Sequence, residues 1–334
     1  MAMTRYVDAI NQALKEEMRR DENVVLWGED LISMNGVMGQ TRGIYEEFGG
    51  DRIKDTPICE QAITGMAMGS ALRGLRPIGV FMNAGFSLVA FDGMFFQLGC
   101  NSGARLPVVM YGVISGLGDD NGHGMSPEAL YMHAPYLKIV MPSCAYDAKG
   151  LMKSAIRDDR PVLFWDHNWC FFMGYKDGQV QRSRDASSQE IPDAEYLIPL
   201  GKSDVKRPGT DITIVTYSFQ VHYCLAAAFN LAKEGINAEV IDLRTIVPLD
   251  VDAIVASVKK TGRLLIVHEA MKRGGPAGEI AFRVFEQAPE LFKTMKAPFR
   301  RLAHKNLPMV PAFAPMDAPT PDSIAAAARE MVKK

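Results

Sequence analysis

Apolar residues along this chain follow two alternating patterns, one typical of α-helices and one typical of buried β-strands. Residues 5–20 carry an apolar side chain every three or four positions, which predicts an amphipathic helix. The short apolar run at 24–27 predicts a buried strand. The same patterns predict further strands over 76–82, 107–111, 138–141 and 162–165, and helices over 44–48, 60–72, 86–99, 127–133 and 146–157.

A second unit of the same kind begins at residue 212. Its patterns predict strands over 212–217, 238–243 and 263–268, and helices over 220–234, 251–259, 277–286 and 322–332. The proline-rich stretch 299–320 is predicted to be extended and to lie on the surface. Between the two units, residues 171–210 are rich in charged residues, Gly, Ser and Pro, and they show no sustained period.

Strands that alternate with helices through short loops indicate parallel sheets covered by helices, so the fold class is α/β. We predict a first domain over residues 1–185, a linker over 186–210 and a smaller α/β domain over 211–334. In the first domain, residues 112–124 form a predicted loop that contains five glycines. This loop follows the strand at 107–111, and ligands of open α/β sheets bind beyond the carboxyl ends of their strands.

Composition excludes several classes of protein. The 334 residues are 48% hydrophobic and 23% charged with a net charge of −2, so we expect no nucleic-acid partner and no membrane-surface binding. Neither a membrane-spanning run nor an apolar signal core is found, since the N-terminal segment is charged and amphipathic. The five cysteines are scattered without a C-x-x-C pair, which predicts reduced thiols and a cytoplasmic protein.

The common catalytic fingerprints are absent from the sequence. We find no G-x-G-x-x-G, no G-x-x-x-x-G-K-[ST], no H-E-x-x-H and no G-x-S-x-G. None of the six histidines has partners at metal-ligand spacing. Glycine-flanked His123 is either a proton donor at the sheet edge or a solvated loop residue, because a histidine titrates near neutral pH.

Glu60 is the other candidate for chemistry. It lies between a turn stiffened by Pro57 and a helix of small and apolar residues, in which Gly65 and Gly69 share one face. Spacing alone favours a solvated charge in the first turn of that helix, where the helix dipole stabilises an anion.

Seven collinear segments change this interpretation. They span residues 55–60, 74–78, 81–87, 133–140, 147–151, 156–162 and 239–250. In order and in sequence they resemble the beta subunit of the thiamine-diphosphate-dependent 2-oxo acid dehydrogenases, the group that acts on pyruvate, branched-chain 2-oxo acids or acetoin. The resemblance covers nearly the whole chain. It implies a parallel-sheet, transketolase-like pyrimidine-binding domain followed by a smaller transketolase-like C-terminal domain.

The resemblance implies a role for each matched residue. Glu60 would hydrogen-bond to the aminopyrimidine ring of thiamine diphosphate, and burial would favour the neutral, proton-donating form of such a carboxyl group. Ile58, Met82 and Phe86 would contact the cofactor, while His123 would donate a proton or stabilise the adduct on the substrate side. Glu29 and Asp92 match acidic residues thought to connect two active sites, or they are ordinary surface and capping charges. Carbonyl and carboxylate groups of four residues would bind potassium: Val108, Ala155, Asp158 and Arg160.

The resemblance also implies partners. The Gly-Asp-Gly motif that holds Mg²⁺ and the diphosphate belongs to a separate alpha subunit in this family, and this chain contains no Gly-Asp-Gly. We therefore expect an α2β2 heterotetramer, a lipoyl acyltransferase core and a small 2-oxo acid substrate. Departures from the family pattern at Gly124 and Met125, in 91–105 and at 84–85 fall on the substrate side. They leave open an enzyme that cleaves acetoin or another α-hydroxyketone or diketone, and a non-catalytic assembly subunit.

Overall fold

A computed structural model describes residues 2–100, 105–115, 123–183, 185–305 and 318–333. The first domain is built on a seven-stranded sheet in which six strands are parallel. Its strand order is β14-β6-β7-β5-β4-β2-β3. These strands are β2 Val24–Gly28, β3 Ile53–Asp55, β4 Arg76–Val80, β5 Val109–Ile114, β6 Lys138–Val140, β7 Val162–His167 and β14 Thr245–Val247.

Helices cover this sheet, as the apolar periods predict. One face packs on α1 and α5, and the opposite face packs on α3 and on an irregular helical segment. The helices are α1 Tyr6–Arg20, α2 Ile44–Phe48, α3 Glu60–Leu72, α4 Glu128–Tyr131 and α5 Ala145–Arg157. One helix is predicted over 86–99, but the chain there forms a 3₁₀ helix (Ala84–Ala90) followed by a π-helix (Asp92–Leu98). A shorter 3₁₀ helix, Asn168–Phe171, follows β7. Irregular helices of this kind are often found at functional sites.

The second domain contains a five-stranded sheet of order β11-β13-β12-β15-β16. All its strand pairs are parallel except β11 with β13. The strands are β11 Asp204–Arg207, β12 Ile212–Thr216, β13 Ala238–Asp242, β15 Leu264–Met271 and β16 Arg300–His304. The helices are α6 Gln220–Ala232, α7 Val251–Thr261, α8 Pro276–Gln287, α9 Leu291–Thr294 and α10 Pro321–Val332. The predicted α/β fold with two parallel sheets is thus confirmed.

Several predicted segments differ in detail. Strand β5 continues to Ile114, so the predicted loop 112–124 begins later, and its part 116–122 lies outside the described residues. The stretch 299–320 is not wholly surface coil, since β16 pairs with β15 at the edge of the second sheet; residues 306–317 lie outside the described residues. Four antiparallel strands complete the chain: β1 Ala2–Arg5, β8 Gly174–Lys176, β9 Gln179–Gln181 and β10 Ser188–Ile191.

The predicted linker, 186–210, contributes to both halves of the molecule. Strand β10 pairs with β1 beside the first domain, and β11 pairs with β13 in the second sheet. In the opposite direction, β14 lies in the second half of the sequence but pairs antiparallel with β6 of the first sheet. One apolar core also runs through both halves, from Ile63 and Trp165 to Tyr217 and Ile280. The predicted domain limits stay a prediction.

A buried ion cluster fastens the junction between the halves. Asp147 in α5 is fully buried. Its Oδ2 binds Lys206 Nζ and its Oδ1 binds Arg244 Nη2, each at 2.5 Å. Burial by itself would raise the pKa of Asp147, but Lys206 and Arg244 outweigh burial and hold that pKa below its ordinary value. Lys206 and Arg244 also bind the more exposed Asp204, at 2.8 and 3.1 Å.

We expect Asp147→Ala to lower the free energy of unfolding by about 3–5 kcal/mol, because it removes the fully buried carboxylate that pairs with both Lys206 and Arg244. Asp204→Ala is the matched control. Its side chain is 38% exposed, so its loss should cost less than about 1 kcal/mol. Urea-induced unfolding of the two variants measures both values, and equal effects would contradict a special role for the buried carboxylate.

A second buried carboxyl group, Asp166, lies in the strand β7, one residue before its end. Its oxygens accept hydrogen bonds from Tyr6 Oη at 2.5 Å and Tyr111 Oη at 2.7 Å. Burial raises the pKa of Asp166 to about 7, although the two tyrosines act in the opposite direction. The folded state therefore retains this proton over a pH range in which the unfolded chain, with an ordinary aspartate pKa, has released it.

Because the pKa of Asp166 is higher in the folded state, its contribution to stability is full below about pH 4 and is lost as the pH rises through about 7. We expect Asp166→Asn, which cannot titrate, to lose less free energy of unfolding than the wild type between pH 5 and pH 7.5. Denaturant unfolding across this range measures the difference. The same pH slope in both proteins would show that the carboxyl group titrates normally.

Candidate active site

The candidate site lies where four neighbouring parallel strands end. In the order β3-β2-β4-β5, the carboxyl ends of these strands reach the same edge of the first sheet. Glu29 follows β2, Glu60 follows β3, Met82 follows β4 and His123 follows β5. The parallel topology therefore gathers four residues that are far apart in sequence, at the edge where open α/β sheets bind ligands.

Glu60 is the first residue of α3. Its side chain is buried, with 6% of the residue exposed, so the solvated position suggested by spacing alone is wrong. Its backbone carbonyl accepts a hydrogen bond from Thr64 Oγ1 at 2.8 Å. In the described parts of the chain, no group forms a hydrogen bond with the Glu60 carboxylate. A buried carboxyl group without a protein partner is available to a ligand.

Glu29 is a second buried carboxyl group beside Glu60. It is 2% exposed, and its Oε2 accepts a hydrogen bond from the backbone N–H of Met82 at 3.0 Å. Its Oε1 is buried and finds no hydrogen-bond partner among the described residues. Burial raises the pKa of Glu29, and repulsion from the negative charge of Glu60 raises it further. The two glutamates therefore form an electrostatically coupled acidic pair.

An apolar and aromatic wall adjoins this pair. The rings of Phe86 and His123 meet edge to face with centroids 4.9 Å apart. Both residues and Met82 are half-buried, so each retains surface that can contact a ligand. The site thus combines a carboxyl pair, an apolar face and an imidazole, a set suited to binding a polar aromatic ring and to moving protons.

Asn83 fixes the base of the His123 loop and was missed by the sequence reasoning. It is 2% exposed, and its Nδ2 donates to the His123 carbonyl at 3.0 Å and to Ser115 Oγ at 3.1 Å. Its Oδ1 accepts the N–H of Gly85 at 2.8 Å and so begins the 3₁₀ helix that carries Phe86. An asparagine before a helical segment is an N-cap signal that could have identified this residue.

Two predicted residues lie apart from the pair. Ile58 is 75% exposed at the rim, two residues before Glu60. Asp92 is exposed in the π-helix and is not brought against Glu29 or Glu60 by any described contact. Asp92 and Ile58 therefore contribute to the site only if another molecule covers this surface.

The four residues predicted to bind potassium lie around the C-terminal end of α5 and the start of β5. The Ala155 carbonyl accepts the N–H of Asp158 at 3.3 Å, and the Val108 carbonyl accepts the N–H of Val162 at 2.9 Å. The Asp158 carboxylate binds Lys138 Nζ and accepts a hydrogen bond from the backbone N–H of Arg160 at 2.9 Å. The Asp158 carbonyl accepts a hydrogen bond from Arg76 Nη2 at 2.7 Å. The side chains of Lys138 and Arg76 thus already bind oxygens of this loop, although each carbonyl oxygen keeps a second lone pair.

An exposed apolar surface surrounds Glu60 on α3 and on the two irregular helices packed beside it. We call it the α3 surface. A Cβ atom added at Gly65 or Gly69 would meet nothing within 4 Å, so another backbone can approach α3 closely. The large apolar side chains exposed here are Ile58, Met66, Leu72, Leu88, Val89 and Phe96.

Two known sequence families cover most of the chain. The pyrimidine binding domain of transketolase matches residues 2–167, and the C-terminal domain of transketolase matches residues 201–324. A solved structure described as a split gene transketolase, an inactive beta4 tetramer, aligns over 99% of both chains with a TM-score of 0.78. Its sequence identity is 21%, so it supports the fold alone. None of the helices in the described parts of the chain has the length and apolar character that a bilayer crossing requires.

Curated relatives extend over the full length. The chain is 40% identical to the 2-oxoisovalerate dehydrogenase subunit beta of Bacillus subtilis, with 100% of both chains covered. It is 42% identical to the pyruvate dehydrogenase E1 component subunit beta of the same species, over 91% of this chain and 90% of the relative. It is 38% identical to the acetoin:2,6-dichlorophenolindophenol oxidoreductase subunit beta of Cupriavidus necator, over 97% and 96%.

Identity at this level across the whole length confirms the resemblance inferred from the seven collinear segments. The same comparisons agree with the two sheets of the structure. This chain therefore belongs to the family of beta subunits of the thiamine-diphosphate-dependent 2-oxo acid dehydrogenases.

Proposed function

We propose that this chain supplies the pyrimidine-binding half of a 2-oxo acid dehydrogenase that decarboxylates its substrate oxidatively and transfers the acyl group to lipoamide. The observation that carries the proposal is Glu60, a residue only 6% exposed whose carboxyl group has no hydrogen-bond partner among the described residues, at the carboxyl edge of the sheet. A carboxyl group that no protein group engages is available to a ligand.

The residues at this edge fit the aminopyrimidine ring of thiamine diphosphate. Glu60 would hydrogen-bond through its carboxyl group to a ring nitrogen, and the unpartnered Glu29 Oε1 offers a further acceptor nearby. Phe86 and Met82 would cover the ring faces, with Ile58 at the rim. When bound, the cofactor supplies the nucleophilic carbon and the electron sink. The protein binds it, orients it and excludes water around Glu60.

His123 would act on the substrate side. Its ring contacts Phe86, so it lies beside the residue proposed to cover the cofactor. Asn83 holds its backbone in place, and an imidazole at this position can hold or transfer a proton to a small 2-oxo acid.

The α3 surface supports an alpha subunit as the obligatory partner in an α2β2 heterotetramer. Exposed apolar patches on otherwise polar proteins mark interaction sites, and this patch surrounds the proposed catalytic carboxyl group. The sequence also has no Gly-Asp-Gly, so the alpha subunit would bind Mg²⁺ and the diphosphate. We further propose docking to a lipoyl acyltransferase core and a cytoplasmic location, the latter supported by five cysteines that are all free.

Potassium binding by Val108, Ala155, Asp158 and Arg160 stays a proposal. The clustered carbonyls and the Asp158 carboxylate support it, while Lys138 and Arg76 compete for the same oxygens.

Cleavage of acetoin or a related diketone is a second candidate. It is favoured by Gly124 and Met125, which depart from the family pattern next to His123, and by the 38% identity to an acetoin oxidoreductase subunit. A panel of pyruvate, branched-chain 2-oxo acids and acetoin, offered to the complex of this chain with its alpha subunit, decides between the two reactions.

We expect Glu60→Gln to lower the rate of 2-oxo acid decarboxylation by about a hundredfold or more, because an amide cannot transfer the proton that the ring nitrogen needs. The rate is measured in the complex with the alpha subunit, thiamine diphosphate and Mg²⁺. Glu46→Gln, an exposed position on α2, is the control and should keep the wild-type rate. Full activity of the Glu60 variant would refute the assignment of Glu60, and a wild-type complex that binds no cofactor would support the non-catalytic alternative.

We expect Val89→Lys to weaken association with the alpha subunit by about tenfold or more, because it places a charge in an apolar interface. Val89 is 65% exposed in the α3 surface. Leu197→Lys replaces another exposed apolar residue, 44% exposed and outside the α3 surface, and should assemble normally. Sedimentation velocity of the co-expressed chains measures the heterotetramer, and normal assembly of the Val89 variant would exclude the α3 surface as the interface.

A further inference from the structure

Glu128 is a buried carboxyl group to which neither the sequence nor the comparisons assign a role. It is the first residue of α4, five positions after His123, and no part of it is exposed. Its Oε2 accepts a hydrogen bond from Ser126 Oγ at 2.6 Å. Its Oε1 accepts a hydrogen bond from Tyr217 Oη at 2.5 Å. Both carboxyl oxygens are therefore engaged, and the group is held in one orientation.

Tyr217 belongs to the other half of the molecule. It follows β12 of the second sheet and is 2% exposed. Its ring stacks over the ring of His268, with centroids 6.2 Å apart and an angle of 17° between the planes. The hydrogen bond from Tyr217 to Glu128 thus connects the packed core of the second domain to the segment that leads out of the His123 loop.

The other end of α4 is connected to the cofactor side. Tyr131 Oη donates a hydrogen bond to Ser87 Oγ at 2.9 Å, and it lies 3.1 Å from the Ser87 carbonyl. Ser87 follows Phe86, whose ring contacts His123. Segment 123–131 is therefore held at three points: at Asn83 and Ser115, at Tyr217, and at Ser87.

A cavity borders one side of this segment. It has a volume of about 160 Å³ and lies between the segment and the chain around β15 and α8. The cavity is lined on one side by Gly124, Met125, Ser126 and Pro127, and on the other by Glu269 and Met271. Because side chains do not fill this space, the polar contacts contribute more to holding this side of the segment in place.

We propose that Tyr217 and Glu128 are positioning residues that hold His123 against Phe86 from the second domain. The proposal rests on the proposed function for the role of His123, but the hydrogen bonds themselves can be tested without it. A merely structural role would make the whole chain less stable. A positioning role acts on segment 123–131 and on the step that uses His123.

The first test measures amide hydrogen exchange in the assembled complex with the alpha subunit, without added cofactor. In Tyr217→Phe, exchange of peptides within 123–131 should accelerate about tenfold, the effect of losing one typical hydrogen bond. Tyr111→Phe is the matched control. It also removes a buried tyrosine hydroxyl bound to a carboxylate, that of Asp166, but among the described residues no hydrogen bond joins it to the segment. Equal acceleration in both variants, or in neither, overturns the proposal.

The second test is a double-mutant cycle in the complex loaded with thiamine diphosphate and Mg²⁺. Tyr217→Phe should lower kcat for a 2-oxo acid about tenfold while KM and cofactor affinity stay unchanged. In a His123→Ala background, the same substitution should cause no further loss. Glu128→Gln, which keeps an acceptor for Tyr217 and a donor for Ser126, should retain more activity than Glu128→Ala.

The outcomes separate the two proposals. Losses that add in the cycle would show that Tyr217 acts independently of His123 and would overturn the positioning role. A wild-type complex that decarboxylates no 2-oxo acid would refute the proposed function, whereas the hydrogen-exchange result would still decide whether Tyr217 and Glu128 hold the segment.

Discussion

Asp147 lies without solvent exposure between Lys206 and Arg244, and the relation of the two sheets depends on this cluster. Isolated buried charges are unfavourable, so the buried Asp147 depends on these two cations, which also pair with the more exposed Asp204. Arg244 comes immediately before β14, the strand that adds to the edge of the first sheet. The cluster therefore fixes the point at which the second half of the chain enters the first domain, and with it the shared apolar core.

The parallel strands β2, β3 and β4 bring Glu29 and Glu60 together at one edge of the first sheet. Burial of Glu29 beside Glu60 raises the pKa of Glu29, so its ionised form is unfavourable in the isolated chain. The extensive packing on both faces of the sheet compensates for that unfavourable pair. A site of this kind holds acidic groups ready for a ligand, because the scaffold and not the ligand supplies the energy to bury them.

The chain is one part of a larger site. Glu60 is buried, but the surface that surrounds it is apolar and exposed, and the two exposed glycines of α3 leave room for another backbone. The motif expected to hold the diphosphate is missing from the same sequence. Chemistry, surface and sequence therefore support our proposal that a second subunit completes the site, in keeping with membership of a family of beta subunits.

The sequence by itself determined the α/β class and the order of most helices and strands, and it singled out Glu60 as a candidate, because hydrophobic period and short motifs are local properties. It did not predict the irregular helices at 84–98, the pairing of β14 with β6, or the roles of Asn83, Glu29 Oε1 and the Glu128–Tyr217 contact. These features depend on residues tens of positions apart meeting at one sheet edge or across the domain junction. Only the tertiary structure decides such meetings, since burial and hydrogen-bond partners are set by packing and not by local spacing.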